Sequence, residues 1–287
     1  MATPLHDRLR AFATEGEVFL LPAPDLSIVV PAFNEAQRLP GTLSAIYAHL
    51  EQVPYTAEVV VVDDGSTDNT VDFVRGVAGS YPRLRLLRNG RNRGKGYSVK
   101  HGVLQSQGRY VLFTDADLST PIGEVDRLLP LLEQGWDVVV GSRDLDPRLL
   151  EGPQPWLRRQ AGQVFHLVVR ALMGLPIHDT QCGFKLFHRQ AALRLFRLQQ
   201  IERFGFDVEI LWLAQRLGLR CLETGVVWVN DAGSRVSMLR DGPAMLWELL
   251  QIRWRGWRNA YAEDSLGTET APLLDEPWLS KREGELH

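Results

Sequence analysis

The chain has 287 residues, 45% hydrophobic and 23% charged, with a formal net charge of −3. This is enough for one large α/β domain or two small ones, and nothing in the global charge argues for wrapping nucleic acid. Its two cysteines, Cys182 and Cys221, stand far apart; they point to neither a disulfide framework nor a zinc site and fit a reducing, cytoplasmic setting.

Residues 1–24 form a lead-in with a small amphipathic stretch (Leu5, Leu9, Phe12) and a Pro-rich end. No cationic stretch followed by an apolar one marks a signal peptide, and no run reaches the roughly 20 apolar residues of a membrane span. "LSIVVPAFNE" predicts a buried strand that breaks at Pro31. Leu39, Leu43, Ile46, Tyr47 and Leu50 recur at helical spacing. "AEVVVVDDGSTDNT" predicts a second strand, a turn at Gly65 and Ser66, and a helix capped by Thr67 or Asp68. "LRLLRN" is a third strand, Lys95 to Gln107 a helix, and "RYVLFTDAD" a fourth strand. Ile122 to Leu132 reads as a helix and "WDVVVGSR" as a fifth strand.

Beyond residue 150 the alternation stops. Trp156 to Met173 reads as a long helix, "HDTQCGFKLF" as an irregular stretch leading into a strand, and Ala191 to Leu198 and Phe206 to Leu217 as helices. "LRCLETGVVWV" is strand-like, and Met245 to Arg258 is a helix rich in Trp and Arg. The acidic tail, residues 261–287, is expected to be poorly ordered.

Five alternations of strand and helix predict an α/β fold, a mostly parallel central sheet covered on both faces. In such sheets ligands bind beyond the carboxyl ends of the strands. Asn34-Glu35, Asp63-Asp64, Asp115-Asp117 and Ser142-Arg143 all fall at predicted strand ends, so they share one edge. On an extended segment residues i and i+2 point the same way, which lets Asp115 and Asp117 converge. Two hard oxygen donors suit Mg²⁺ or Mn²⁺, and magnesium sites of this type bridge carboxylates to substrate phosphates. A nucleotide diphosphate is the natural partner. Gly94, Gly96 and Gly102 mimic a dinucleotide fingerprint, but they follow the wrong strand and the third comes too late.

"VVPAFNE", "VVDDGSTDNT", "NRGKG", "FTDADLST" and "VVGSRD" occur in this order. Together they resemble family 2 glycosyltransferases with the GT-A fold. "DTQCGFKLF", "ERFGFDVEIL" and the later "GSR" resemble the dolichyl-phosphate β-glucosyltransferase branch, with dolichyl-phosphate mannosyltransferases as close relatives. The resemblance covers roughly residues 26–255. It implies one GT-A domain over 25–260, with a nucleotide-sugar half (25–145) and an acceptor half with C-terminal helices (146–260).

The resemblance also implies roles. Pro31, Phe33 and Glu35 would hold the nucleobase and ribose. Val62 and Asp64 would meet the base, where a carboxylate can accept the uracil imide N–H. Lys95 would lie on a mobile loop near the diphosphate. Asp115, Ala116 and Asp117 match the metal and sugar-diphosphate motif, Ser119 is a further candidate metal ligand, and Arg143 would face phosphate. In the family the acceptor can be a lipid phosphate, an ionised nucleophile that needs cations more than a base. Arg143, Arg158, Arg159 and Arg235 are the candidates for holding it. Asp179 is placed among the catalytic residues, either orienting an arginine or acting as a base. Glu209 could touch the sugar or cap a buried network, and Cys182 reads as a packed residue. The membrane helix at the N-terminus of the eukaryotic enzymes is absent from this sequence. The Trp/Arg helix Met245–Arg258 is read as a membrane-interface element, with a helix packed on the domain as the alternative.

The expected function is inverting, metal-dependent transfer of a hexose, glucose favoured, from a UDP-sugar to a polyprenyl or dolichyl phosphate. The enzyme is expected to be peripheral at the cytoplasmic membrane face. GDP-mannose as donor and a soluble acceptor are the alternatives within the class; a nucleotide-sugar-binding protein without turnover is the alternative outside it.

Overall fold

The computed structural model describes residues 22–151, 167–229 and 238–262. The lead-in before residue 22 and the tail after residue 262 therefore lie outside it, as do residues 152–166 and 230–237.

The first half follows the alternation read from the sequence: β1 (Leu26–Ala32), α1 (Leu39–Leu50), β2 (Ala57–Asp63), α2 (Thr70–Val77), β3 (Leu84–Arg88), α3 (Lys95–Leu104) and β4 (Tyr110–Thr114). A 3₁₀ turn at Ile122–Glu124 leads into α4 (Val125–Glu133), then β5 (Val138–Ser142) and the short β6 (Leu150–Glu151). After the helical residues 167–173 (α5) come β7 (Phe184–His188), α6 (Arg189–Leu198), α7 (Phe206–Arg216), β8 (Cys221–Gly225), β9 (Trp228–Val229) and α8 (Met238–Trp257).

Seven strands form one sheet in the order β3-β2-β1-β4-β7-β5-β8, and β6 pairs with β9 in a small second sheet. β7 runs antiparallel to both β4 and β5; all other pairs in the large sheet are parallel. This strand was read from "HDTQCGFKLF", but its place was not: it enters between β4 and β5 from about 40 residues downstream of β5. Residues 25–145 and 146–260 thus share one continuous sheet.

The apolar runs are uninterrupted because the sheet is buried on both faces. Successive residues go to opposite sides. Val29, Val60, Val62, Val111 and Phe113 join one core with Val99 and Val103 of α3 and residues of α6, α7 and α8. Ile28, Val30, Val59, Val61 and Leu112 join the other, with Leu43 of α1, Val74 of α2 and Leu128 of α4. A one-residue slip of any strand would exchange the two sets, so both cores fix the register. At Gly102, a Cβ would meet Val29 Cγ1 at 2.4 Å and Val62 Cγ2 at 2.9 Å. That glycine seats α3 on the sheet, which explains a pattern that only mimics a nucleotide fingerprint.

Several boundaries shift. Asp68 is the residue that meets the start of α2: its Oδ1 accepts the Thr70 N–H at 3.0 Å. α8 begins at Met238, seven residues ahead of the predicted start. Of the long helix expected from Trp156, residues 167–173 are described and are helical.

Candidate active site

Parallel strands bring the carboxyl ends of β1, β2, β4 and β5 to one edge, and all four polar clusters sit there. β4 ends at Thr114. Asp115 to Leu118 form a turn in which the Leu118 N–H donates to the Asp115 carbonyl at 3.2 Å. Asp115 and Asp117 therefore meet across a turn, not along the extended segment their spacing suggested.

Asp115 lies over Gly183, whose missing Cβ would fall 1.9 Å from Asp115 Oδ2. The Asp115 N–H donates to the Gly183 carbonyl at 3.2 Å. On its other oxygen Asp115 accepts from Lys95 Nζ at 2.6 Å. Burial and the neighbouring Asp115 charge raise the Asp117 pKa above the ordinary carboxylate value, against the opposing pull of Ser119 and Lys95. Ser119 donates its N–H to Asp117 Oδ1 at 3.0 Å, so here it orients that carboxylate. Leu118 takes a left-handed φ of 46° in this turn. Ala116 is buried and its carbonyl accepts the Thr42 hydroxyl.

Lys95 is the first residue of α3, directly after the "NRG" stretch. Cβ atoms at Gly94 and Gly96 would lie 2.5 Å from the Glu202 carbonyl and 2.7 Å from the Ile201 carbonyl, so the "GKG" stretch is wedged against residues 201–206. Burial works against the Lys95 charge, but Asp115, Asp207 and Asp117 more than offset it and hold it protonated.

Asp207 is a carboxylate the sequence reading passed over in favour of Glu209. It is buried, paired with Lys185, and electrostatically coupled to Lys95 and Asp115. Burial raises its pKa, partly countered by the two lysines. Lys185 also donates to the Cys182 carbonyl at 2.7 Å. A network of alternating charge thus runs from beneath the sheet edge to the Asp115-Asp117 turn. Glu209 instead accepts from the N–H groups of Gln200 (3.0 Å) and Ile201 (2.8 Å) and from the Tyr261 hydroxyl (2.6 Å). It caps a buried network, the second of the two roles left open for it.

Arg143, at the end of β5, holds Asp179 in a bidentate fork, Nε to Oδ2 at 2.6 Å and a terminal N–H to Oδ1 at 2.8 Å. Asp179 is fully buried and also accepts the Arg143 backbone N–H at 3.1 Å. Of the two roles considered for Asp179, it orients the arginine. A buried carboxylate with both oxygens engaged is poorly placed to take a proton from an acceptor. Burial works against the Arg143 charge and Asp179 more than offsets it. Gln181 reaches towards Met245 Sδ at 3.9 Å. Cys182 is buried, and burial pushes its thiol up to about 12, which suits packing and not nucleophilic attack.

The β1 and β2 ends carry the residues expected to meet the base. Pro31 and Val62 stand opposite one another in the β1–β2 register, and the Phe33 ring is exposed. Asn34 takes φ 56°, a conformation Asn tolerates, and its side chain accepts the Thr67 N–H at 2.8 Å. Glu35 pairs with Arg38 at 3.1 Å. Asp64 accepts three hydrogen bonds: from Asn89 Nδ2 (2.8 Å), the Arg93 N–H (3.0 Å) and the Gly94 N–H (2.8 Å). With room for about four, it has one acceptor position to spare. Its neighbour Asp63 is also buried; among the described residues its Oδ2 accepts no hydrogen bond and lies 3.5 Å from Arg88 Nε. Arg158, Arg159 and Arg235 lie outside the described residues.

Among the described residues no cluster of three or more His, Cys, Asp and Glu could hold a metal. The two turn carboxylates do fit a hard cation. Their charges repel, one is held above its ordinary pKa, and an ammonium already sits on the other. Such a pair leaves coordination positions for phosphate oxygens and water.

Residues 27–196 match glycosyl transferase family 2. The chain is 37% identical over 242 residues to a dolichyl-phosphate β-glucosyltransferase of Dictyostelium discoideum, covering 80% of this chain and 74% of that one. It is 39% identical over 229 residues to a Drosophila melanogaster protein of the same name, covering 75% and 70%. The glucosyl-3-phosphoglycerate synthase of Mycobacterium tuberculosis, solved with Mn²⁺, UDP-glucose and phosphoglyceric acid, shares the fold with a TM-score of 0.57 at 20% identity. That match covers 80% of this chain and 78% of the other. The chain belongs to glycosyl transferase family 2, and it is a glycosyltransferase with the GT-A fold.

Proposed function

We propose that this glycosyltransferase moves glucose from UDP-glucose to a polyprenyl or dolichyl phosphate with inversion at the anomeric carbon. The observation that carries the reading is the sheet edge that bears the Asp115-Asp117 turn with Lys95 and, after β5, the Arg143–Asp179 pair, in a chain whose relatives bear the name dolichyl-phosphate β-glucosyltransferase.

In this reading Phe33 stacks on the base, and Pro31, Glu35, Val62 and Asp64 shape the base and ribose pocket. Asp115 and Asp117 hold Mg²⁺ or Mn²⁺, with Ser119 fixing Asp117. Held there, such an ion would supply positive charge to a departing diphosphate. Lys95 transfers its ammonium from Asp115 towards the diphosphate once the donor arrives. Arg143, kept charged and aimed by Asp179, faces phosphate with the N–H donors that Asp179 does not use. Arg158, Arg159 and Arg235 would add cations for the acceptor. An oxygen of the lipid phosphate attacks the anomeric carbon from the face opposite the diphosphate. One C–O bond forms as the other breaks, and UDP leaves. The nucleophile is already ionised, so no general base is required. The domain acts as one GT-A unit over residues 25–260, peripheral to the cytoplasmic membrane face.

Thermal unfolding tests the donor. Mn²⁺ with UDP-glucose should raise the melting temperature, and neither alone should match it; ligand at a hundred times its Kd adds about 2.7 kcal/mol. A shift only with GDP-mannose would reassign the donor, and no shift with either would overturn the reading. Transfer of radiolabelled glucose to polyprenyl phosphate, compared with phosphoglycerate, then tests the acceptor.

A further inference from the structure

α8 turns one side to the domain and the other outward. Met245, Leu249 and Ile252 are buried in the core. Gly256 lets the helix approach so closely that a Cβ there would meet the Trp212 ring at 2.3 Å. The outward positions Leu246, Trp247, Leu250, Trp254 and Trp257 are exposed, Trp257 at 85% and Trp247 at 63%. They are five of the ten large hydrophobic residues exposed among the described residues, so apolar exposure is concentrated on this one helix face. Arg253 and Arg258 are exposed beside them, and the Arg258 guanidinium lies 4.8 Å from the centre of the Trp254 ring. Between Gly242 and Arg258 no exposed position carries a carboxylate. Glu248 is only partly exposed and accepts the Gly205 N–H at 2.7 Å. Arg255 is the exception among the arginines: it is half-buried and acts on Glu209 and Tyr261.

We propose that the outer face of α8 docks the protein on an anionic phospholipid bilayer, with the helix lying in the plane of the surface. Tryptophan rings suit the headgroup region, and Arg253 and Arg258 complement lipid phosphates. The 20-residue helix is about 30 Å long, yet no helix among the described residues is long and apolar enough to cross a membrane. A second copy is a poor occupant, because a two-fold contact through this face would set arginine against arginine with no carboxylate to answer it. Continuity with the candidate site supports the orientation. Met245 of α8 faces Gln181 of the acceptor-side loop, and α8 packs on α7, which carries Asp207. The docking serves a lipid-borne acceptor and in that respect rests on the function proposed above; the surface itself can be tested without donor or acceptor.

The test is co-sedimentation of the full chain with vesicles of phosphatidylcholine alone or mixed with phosphatidylglycerol. Binding to the mixed vesicles should be at least about tenfold tighter, and raised salt should weaken it. Replacing Trp247 and Trp254 together by glutamate should lower binding by about a hundredfold. The same variant should keep the wild-type melting temperature and its shift with Mn²⁺ and UDP-glucose, since both side chains are exposed on the far side of α8. Wild-type protein that stays in the supernatant with mixed vesicles overturns the proposal. So does a double variant that sediments as wild type does, or a wild-type dimer in sedimentation velocity that this variant abolishes. Vesicle binding without any nucleotide-sugar shift would leave the docking standing and remove the proposed function.

Discussion

Gly183 has no side chain, and Asp115 occupies the space one would fill. An added methyl there must displace the carboxylate that now holds Lys95. Gly183→Ala should therefore lower kcat/KM at least about tenfold while moving the melting temperature by only a few degrees. Assays of transfer and unfolding on the same preparation check this. Asp117→Asn has a different signature. Its carboxylate is ionised against burial and against Asp115, so removing the charge relieves the ligand-free protein. The variant should melt at or slightly above the wild-type temperature and lose about a hundredfold or more of its turnover. Asp179→Ala should do the reverse. It strands the Arg143 guanidinium and should cost about 2–4 kcal/mol of stability in denaturant unfolding, along with activity. The positions of Asp115, Asp117 and Arg143 just past strand ends were legible in the sequence, because charge at the end of an apolar run is conspicuous. Gly183 and Asp207 were not. A glycine gives no sign of what stands above it. Asp207 and Glu209 lie two apart on one helix, and only the packing shows which faces Lys185 and which the Gln200 turn.

At the scale of elements, the start of α3 is held by what surrounds it. Asp64 of the β2 end accepts from Asn89, Arg93 and Gly94, so one carboxylate pins the whole approach to Lys95. Gly96→Ala would bring a Cβ to 2.7 Å from both the Ile201 carbonyl and Phe206 Cβ. It should destabilise the protein by about 1–3 kcal/mol and move Lys95. His101 belongs to the same assembly, its Nδ1 lying 2.8 Å from Asn89 Oδ1. Burial lowers its pKa, so below the pKa of a free histidine the unfolded chain binds a proton that the folded chain resists. That contribution to stability is present above the free histidine value of about 6.5 and is lost as the pH falls below it, through the lowered value in the fold. Replacing His101 by glutamine should make the melting temperature fall less between pH 7 and pH 5 than it does in the wild type. The strands and helices of this half were readable because each apolar run is bounded by turn residues. The place of β7 was not: "FKLF" is strand-like, but nothing in it says that it runs antiparallel between β4 and β5, and its lysine is buried only against Asp207, 22 residues further on.

Across the whole molecule the site is assembled from segments distant in sequence: Asp115 with Gly183, Arg143 with Asp179, and Gly94 with Glu202. The α/β class and the functional edge could be read from the chain, since parallel strands place all their carboxyl ends together. The strand order could not, because alternation is silent about a strand that returns from downstream. A division at residue 145 therefore follows the motifs but not the sheet. β7 is the only sheet neighbour of β4 on that side, and β5 has none but β7 and β8. During synthesis, β1 to β4 leave the ribosome able to pair among themselves, while β5 emerges with no partner yet made. Until Phe184 to His188 appears, "YVLFT" is an open, apolar sheet edge and "VVVGS" an unclaimed strand. A chain stalled or cut between residues 143 and 183 thus offers a template for aggregation; β7 closes the β4 edge, and β5 stays open on its far side until Cys221 to Gly225 appears.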